Sequence, residues 1–202
     1  MKNREIERKE NRCETNKTLS EMSLEELWRL FPIFLTEHQE SWEQWYGDEL
    51  EFLSGLLPGK GVHRITHIGS TAVKRIWAKP IVDILLEIDP DCDMNNVREI
   101  LTSHGYICMS EEKSRKTFNK GYTENGFAER VYHLHLRYSG DNDELYFRDY
   151  LIENPEIAEE YEKVKLDLWR KYEYDRDGYT QQKTEFVKRI TRQAKEKYGN
   201  RY

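Results

Sequence analysis

Apolar positions recur along this chain at two periods, one of about three and a half residues and one of two, and the switches between them mark the elements. Ser23-Leu24-Glu25-Glu26 has the form of a capping box, with a serine to cap the backbone and a glutamate to reach back. It predicts a short helix carrying Leu24, Leu27, Trp28 and Phe31 on one side, stopped near Pro32. Ser41 reads as the cap of a longer helix, with Trp42, Trp45, Tyr46, Leu50, Leu53 and Leu57 as its core stripe. Pro58-Gly59-Lys60-Gly61 breaks it.

Period two then takes over. Val62 to Ile68 predicts a strand that runs into the turn Gly69-Ser70-Thr71. Ile81 to Ile88 is the strongest strand, with Val82, Ile84, Leu86 and Ile88 on one face and Asp83, Leu85 and Glu87 on the other. Asp93 caps a helix over Val97, Ile100 and Leu101 that Gly105 ends, and Tyr106 to Met109 follows as a strand. Lys116 to Gly121 and Glu129 to Tyr138 flank the turn Glu124-Asn125-Gly126 as an antiparallel pair. The last third is helical: one helix from about Asp143, a restart at Asn154-Pro155, and a final helix carrying Phe186, Val187, Ile190 and Ala194. Strands and helices interleave, so the expected fold class is α/β (α+β): a mixed β-sheet flanked by helices, with a helical C-terminal segment. Residues 1–20 are nearly all polar and read as a disordered or frayed extension, leaving 21–202 as one domain.

Composition narrows the functional classes. The chain has 202 residues, 37% of them hydrophobic and 12% aromatic, enough for a real core. A formal net charge of -6 gives no global drive toward nucleic acid. Cys13, Cys92 and Cys108 form no CxxC pair, which fits reduced thiols in a cytoplasmic protein better than a disulfide framework. No apolar run reaches the length of a membrane span.

Three features carry candidate chemistry. Gly69-Ser70-Thr71 ends a strand, where a glycine lets the backbone approach a phosphate and hydroxyls can bind its oxygens; an ordinary turn has the same residues. Gly59-Lys60-Gly61 is no P-loop, because glycine stands where Ser or Thr is required. Asp83 sits in an apolar strand, where a carboxylate is costly unless paired or bound to metal. A salt bridge with Lys79 or Arg130 and a role in holding Mg²⁺ both stay open. His133 and His135 share one strand face and can ligate metal, hold phosphate or relay a proton.

These features fall in four blocks: His67-Ile68-Gly69-Ser70-Thr71-Ala72-Val73, then Ala78-Lys79-Pro80-Ile81-Val82-Asp83-Ile84-Leu85, then Arg130 with His133-Leu134-His135-Leu136, then Phe147-Arg148-Asp149-Tyr150-Leu151. In that order, followed by Asn154-Pro155, Tyr161, Lys165 and Tyr179-xxx-Lys183-xx-Phe186, the chain resembles the GrpB family, which is similar to the nucleotidyltransferase superfamily. The resemblance implies a nucleotidyltransferase-like fold, with His67, Gly69, Ser70, Thr71, Lys79 and Arg148 at the phosphates of a nucleoside triphosphate. It implies Asp83 as the first metal carboxylate, with Arg130, His133 and His135 beside it in catalysis; Glu87, on the same strand face further along, is the candidate for a second metal carboxylate. The chain departs from the pattern twice. Leu85 stands where the second carboxylate is expected, and Lys74-Arg75 replaces a Pro-Gly.

The implied function is Mg²⁺-dependent transfer of a nucleotidyl group from a nucleoside triphosphate to a small-molecule or protein acceptor. The alternative is a nucleotide- or phosphate-binding module with a degenerate metal site, and Leu85 is its main support. A metal- or pH-responsive protein would require His67, His133 and His135 to converge.

Overall fold

The computed structural model describes residues 17–202 apart from Pro58 and Lys60. Most of the expected N-terminal extension and part of the Pro58–Gly61 break therefore lie outside the described residues. A single 3₁₀ turn at Leu19–Glu21 precedes α1 (Leu24–Leu30). The capping box at Ser23 is formed: the Glu26 N–H donates to Ser23 Oγ at 3.2 Å, and the Ser23 N–H donates to Glu26 Oε2 at 2.8 Å. No residue within α1 is buried and Leu24 is 63% exposed, because so short a helix lies on the surface, whereas Phe31, at its C-terminal cap, is buried in the core.

The remaining helices are α2 (Ser41–Leu56), α3 (Met94–Ser103), α4 (Asp143–Glu153), α5 (Pro155–Tyr172) and α6 (Arg176–Tyr198). The strands are β1 (Val62–Ile68), β2 (Val82–Ile88), β3 (Ile107–Glu111), β4 (Arg115–Thr123) and β5 (Gly126–Tyr138). One helix start differs from the sequence expectation: Ser41 is the first helical residue, with Glu40 in the cap position. The final helix, α6, starts at Arg176 behind Asp175, which accepts the Gly178 N–H at 2.8 Å. The Asp93 and Pro155 starts are as expected.

The five strands form one mixed sheet in the order β1-β2-β5-β4-β3. β2 and β5 pair in parallel, and the other pairs are antiparallel. A parallel pair needs a long crossover, here supplied by α3, β3 and β4. The fold class expected from the pattern is thus the one observed.

The two faces of the sheet are covered differently. Val82, Ile84, Leu86 and Ile88 pack with Leu134 and Leu136 against Trp42 and Leu53 of α2 and Val97 and Leu101 of α3. Each such buried aliphatic chain contributes about 1.5–3 kcal/mol, so this face anchors the fold. On the other face Leu85 packs with Ile68 and with Leu145 of α4. Beyond it, Phe147, Leu151, Tyr161, Phe186 and Ile190 bind α4, α5 and α6 together and hold Val73 and Ile76, the loop after β1. The second face is therefore capped at one end only, and its β2–β5 entrance stays polar. Among the described residues, no helix is long and apolar enough to cross a membrane.

Candidate functional site

The polar entrance is built from the end of β1, the start of β2 and the middle of β5. Ile68, the last residue of β1, is in register with Asp83, and Asp83 is in register with His133 across the parallel pair. Gly69 then turns the chain with φ +72°, a backbone that side chains resist. An added Cβ there would lie 2.3 Å from Asp83 Oδ2. Glycine is needed twice over, for the turn and for the carboxylate lying directly against it.

The turn continues as one 3₁₀ step at Ser70–Ala72 and is fastened from behind. Thr71 Oγ1 donates to the Ile81 carbonyl at 3.2 Å and lies 2.9 Å from His67 Nε2. His67 stacks on Tyr46 at 4.9 Å between ring centroids. Burial holds its imidazole down at about 4, so it is neutral near pH 7. Arg148 donates to the His67 carbonyl at 2.9 Å and pairs with Asp149 at 2.6 Å. His67, Thr71 and Arg148 therefore set the position of the turn, and Arg148 supports it from the α4 side.

Asp83 keeps 28% of its side chain exposed and faces both histidines. His133 Nδ1 lies 3.2 Å and His135 Nε2 3.8 Å from Asp83 Oδ1. Burial pushes the carboxyl up, but the hydrogen bonds from His133 and His135 outweigh it and hold it well below the usual carboxylate range. Tautomers follow from the outer partners. Arg176 donates to Tyr122 Oη at 2.9 Å, which leaves the phenol proton for His133 Nε2 at 2.8 Å. His133 then carries its proton on Nδ1, toward Asp83. Arg137 donates to His135 Nδ1 at 3.5 Å, so His135 presents its Nε2 proton to the same oxygen.

Around this chain of bonds stand three cations. Lys79 and Lys183 lie over the Tyr179 ring, 4.2 and 4.7 Å from its centroid. Arg176 lies over Tyr122 at 5.5 Å. Among the described residues none of the three has a carboxylate within 4.0 Å. Burial pulls the Lys79 ammonium well below its ordinary value, and the neighbouring charges of Lys183 and Arg176 pull it further. Asp83 offsets them only in part.

The residues expected from the sequence thus divide. Gly69, Ser70, Thr71, Lys79, Asp83, His133 and His135 gather at one entrance, with His67 behind them. Two do not join it. Arg130 pairs with Asp48 of α2 at 2.6 Å, because its even position on β5 turns it to the opposite face. Glu87 is fully buried, pairs with Arg64 at 3.3 Å and accepts from the Gly140 N–H at 3.0 Å and from Asn142 at 3.1 Å. It is a structural carboxylate two pleats away from Asp83, not a second metal ligand. Asp83 has no ion pair with Lys79 or Arg130 either; the histidines take that place.

Sequence reasoning did not single out Tyr122 and Arg176, and read Lys183 only as part of a C-terminal pattern. The spacing of Arg176, Tyr179 and Lys183 at three and four residues is the one signal that put them on a common helix face. Tyr122 had no such signal. Gly121, with φ +89°, sits at a break in the β4–β5 register, and the bulge swings Tyr122 onto the His133 side.

Mg²⁺ takes hard oxygen ligands. Here Asp83 already accepts from two imidazoles, and the position of its expected partner is Leu85, fully buried against Ile68 and Leu145. Among the described residues no group of three or more His, Cys, Asp or Glu side chains is arranged to hold a metal ion. These residues do not fit a two-carboxylate Mg²⁺ site.

The family model described as GrpB protein matches residues 32–193. The glutamate-rich protein GrpB of Alkalihalophilus pseudofirmus is 35% identical over 164 residues, covering 78% of this chain and 93% of that protein. The UPF0157 protein PA4798 of Pseudomonas aeruginosa is 37% identical over 159 residues, 76% of this chain and 64% of the relative's length. Among solved structures, the crystal structure of GrpB from Enterococcus faecalis superposes with a TM-score of 0.70 at 29% identity, covering 82% of this chain and 99% of that one.

Proposed function

We propose that this chain, which belongs to the GrpB family, is a phosphate-binding protein that holds the phosphates of a nucleotide against Gly69 and Ser70. One observation carries this reading: Lys79, Arg176 and Lys183 crowd one entrance with no carboxylate within 4.0 Å among the described residues, in a protein whose net charge is -6. Partly desolvated cations repel one another, and an anion seated among them relieves both the repulsion and the lost hydration. Phosphate oxygens accept charge-assisted bonds from lysine and arginine, and a glycine-led turn offers further N–H groups. Asp83 supplies the opposing charge beside the turn and orients His133 rather than binding the anion.

A second reading is nucleotidyl transfer from a nucleoside triphosphate to an acceptor, with Mg²⁺. It is favoured by the ionised Asp83 lying against the turn. The donor set described above counts against it.

Isothermal titration of the full chain with tripolyphosphate and with ATP, GTP, CTP and UTP separates the two. Binding is expected without Mg²⁺, weakened about tenfold in Lys183→Ala, and unchanged or a few-fold tighter in Asp83→Asn, since one repelling charge is gone. The phosphate-binding reading is overturned if no probe binds or if Lys183→Ala leaves every affinity intact. Binding that demands Mg²⁺ and disappears in Asp83→Asn would establish the transferase reading in its place.

A further inference from the structure

Beside the cation cluster lies a cavity of about 260 Å³ that the phosphate reading leaves unused. Its walls are mostly apolar, with two aromatic rings, Phe34 and Phe127, beside Ile81 and Val131, and Lys79 and Arg176 in the lining. The aromatic wall is held in place by its own packing. Phe127 meets Phe34 edge-on at 6.1 Å between ring centroids and packs against Tyr122 at 5.2 Å. Tyr122 in turn holds Arg176 and His133, so cavity and cation cluster share one framework.

Size and chemistry restrict the occupant. Whole small-molecule sites run to roughly 300–1,000 Å³, so this cavity houses one moiety and not a complete cofactor. Apolar aromatic walls favour a flat ring that can lie against them. The two cations in the lining mean that the moiety arrives attached to an anion, because a neutral apolar ligand would gain nothing there and would keep the cations desolvated. Glu129, exposed at the rim, is an acceptor for ring N–H groups and repels a second anionic end.

We infer that this cavity is the ring subsite of the phosphate site: the ligand is a phosphorylated compound of the nucleotide class, with its planar base lying against the wall that Phe34 and Phe127 form and its phosphates among Lys79, Arg176 and Lys183. This rests on the phosphate-binding reading and adds the identity of the ligand's other half. Discrimination among ligands then resides in the Phe34–Phe127 cavity, and the cation cluster supplies affinity common to all of them.

The test compares tripolyphosphate, which has no ring, with the four nucleoside triphosphates on the full chain by isothermal titration. At least one nucleotide is expected to bind tenfold or more tightly than tripolyphosphate. Ala128→Trp, at an exposed position on the cavity wall, is expected to abolish that advantage while leaving the tripolyphosphate affinity within twofold. Phe34→Ala is expected to reduce the advantage at least fivefold, and its far-ultraviolet circular dichroism checks that it is folded. The ring subsite is overturned if no nucleotide exceeds tripolyphosphate, or if the advantage survives both substitutions. Those outcomes leave the phosphate reading standing as long as Lys183→Ala still weakens binding. Nucleotide binding indifferent to Lys183→Ala overturns the phosphate reading, and the ring subsite with it.

Discussion

Two acid–base pairs sit on the same face of the same two strands, in register, and have opposite fates. At one end Asp83 stands opposite His133; two pleats along, Glu87 stands opposite Arg137. Glu87 is sealed: it has no exposed surface, and Arg64, the Gly140 N–H and Asn142 all turn toward it. Asp83 is open, and the cations beyond its histidines have no acidic partners of their own among the described residues. A carboxylate in a buried strand must be compensated in either case. What separates structure from binding is whether the compensation stops at neutrality or overshoots it. At Glu87 the surroundings close on the charge. At Asp83 three cations face one carboxylate, and the surplus is left for a ligand.

The contrast can be broken from either end. The largest expected effect is on the sealed pair: Glu87→Ala leaves the buried Asn142 and the Gly140 N–H without their acceptor and Arg64 without its partner, and should cost about 3 kcal/mol in urea denaturation, whereas Asp83→Asn should cost less than about 1. Equal losses would mean that both pairs are structural. Next comes Gly69→Ala. The forced contact with Asp83 and the positive φ should destabilise the chain by about 2 kcal/mol and abolish tripolyphosphate binding, because either the turn or the carboxylate must move. Retained binding with full stability would show that the close approach is incidental.

The smallest effect sharpens the contrast through pH. The folded imidazole of His67 is held at about 4, below the ordinary value near 6.5. Between those values the unfolded chain takes up a proton that the folded chain refuses, so stability falls as the pH drops through this window. With discounting for solvent near the ring, the loss attributable to His67 at pH 4.5 is on the order of 1 kcal/mol. His67→Gln should show a correspondingly smaller difference between denaturation midpoints at pH 7 and pH 4.5. An identical acid response in the two proteins would remove His67 as its source.

Much of this architecture was legible along the chain, and the reason is periodicity. Even positions of β2 are apolar throughout, so their burial against α2 and α3 follows from alternation alone. The capping boxes and Pro155 mark helix starts through short-range bonds that need no tertiary partner. Gly69, Asp83, His133 and His135 were legible as candidates because each is out of character with its surroundings. Roles were harder to read. Arg130 and Glu87 carry suitable chemistry, yet a one-residue parity puts the first on the wrong face, and a salt bridge to β1 closes off the second.

What the sequence by itself determined is the set of elements and the face on which Asp83 and the histidines lie, since both depend on local geometry repeated over a few residues. Tertiary structure alone decided which distant groups meet there. α6 brings Arg176 and Lys183 back over β2 from about a hundred residues downstream. The bulge at Gly121 turns Tyr122 away from the Lys120 side and toward His133. A bulge changes side-chain parity by a single residue, and a helix lands where its apolar stripe finds a partner. Neither outcome is written in a local pattern, and together they turn a lone carboxylate into the entrance of a cationic site.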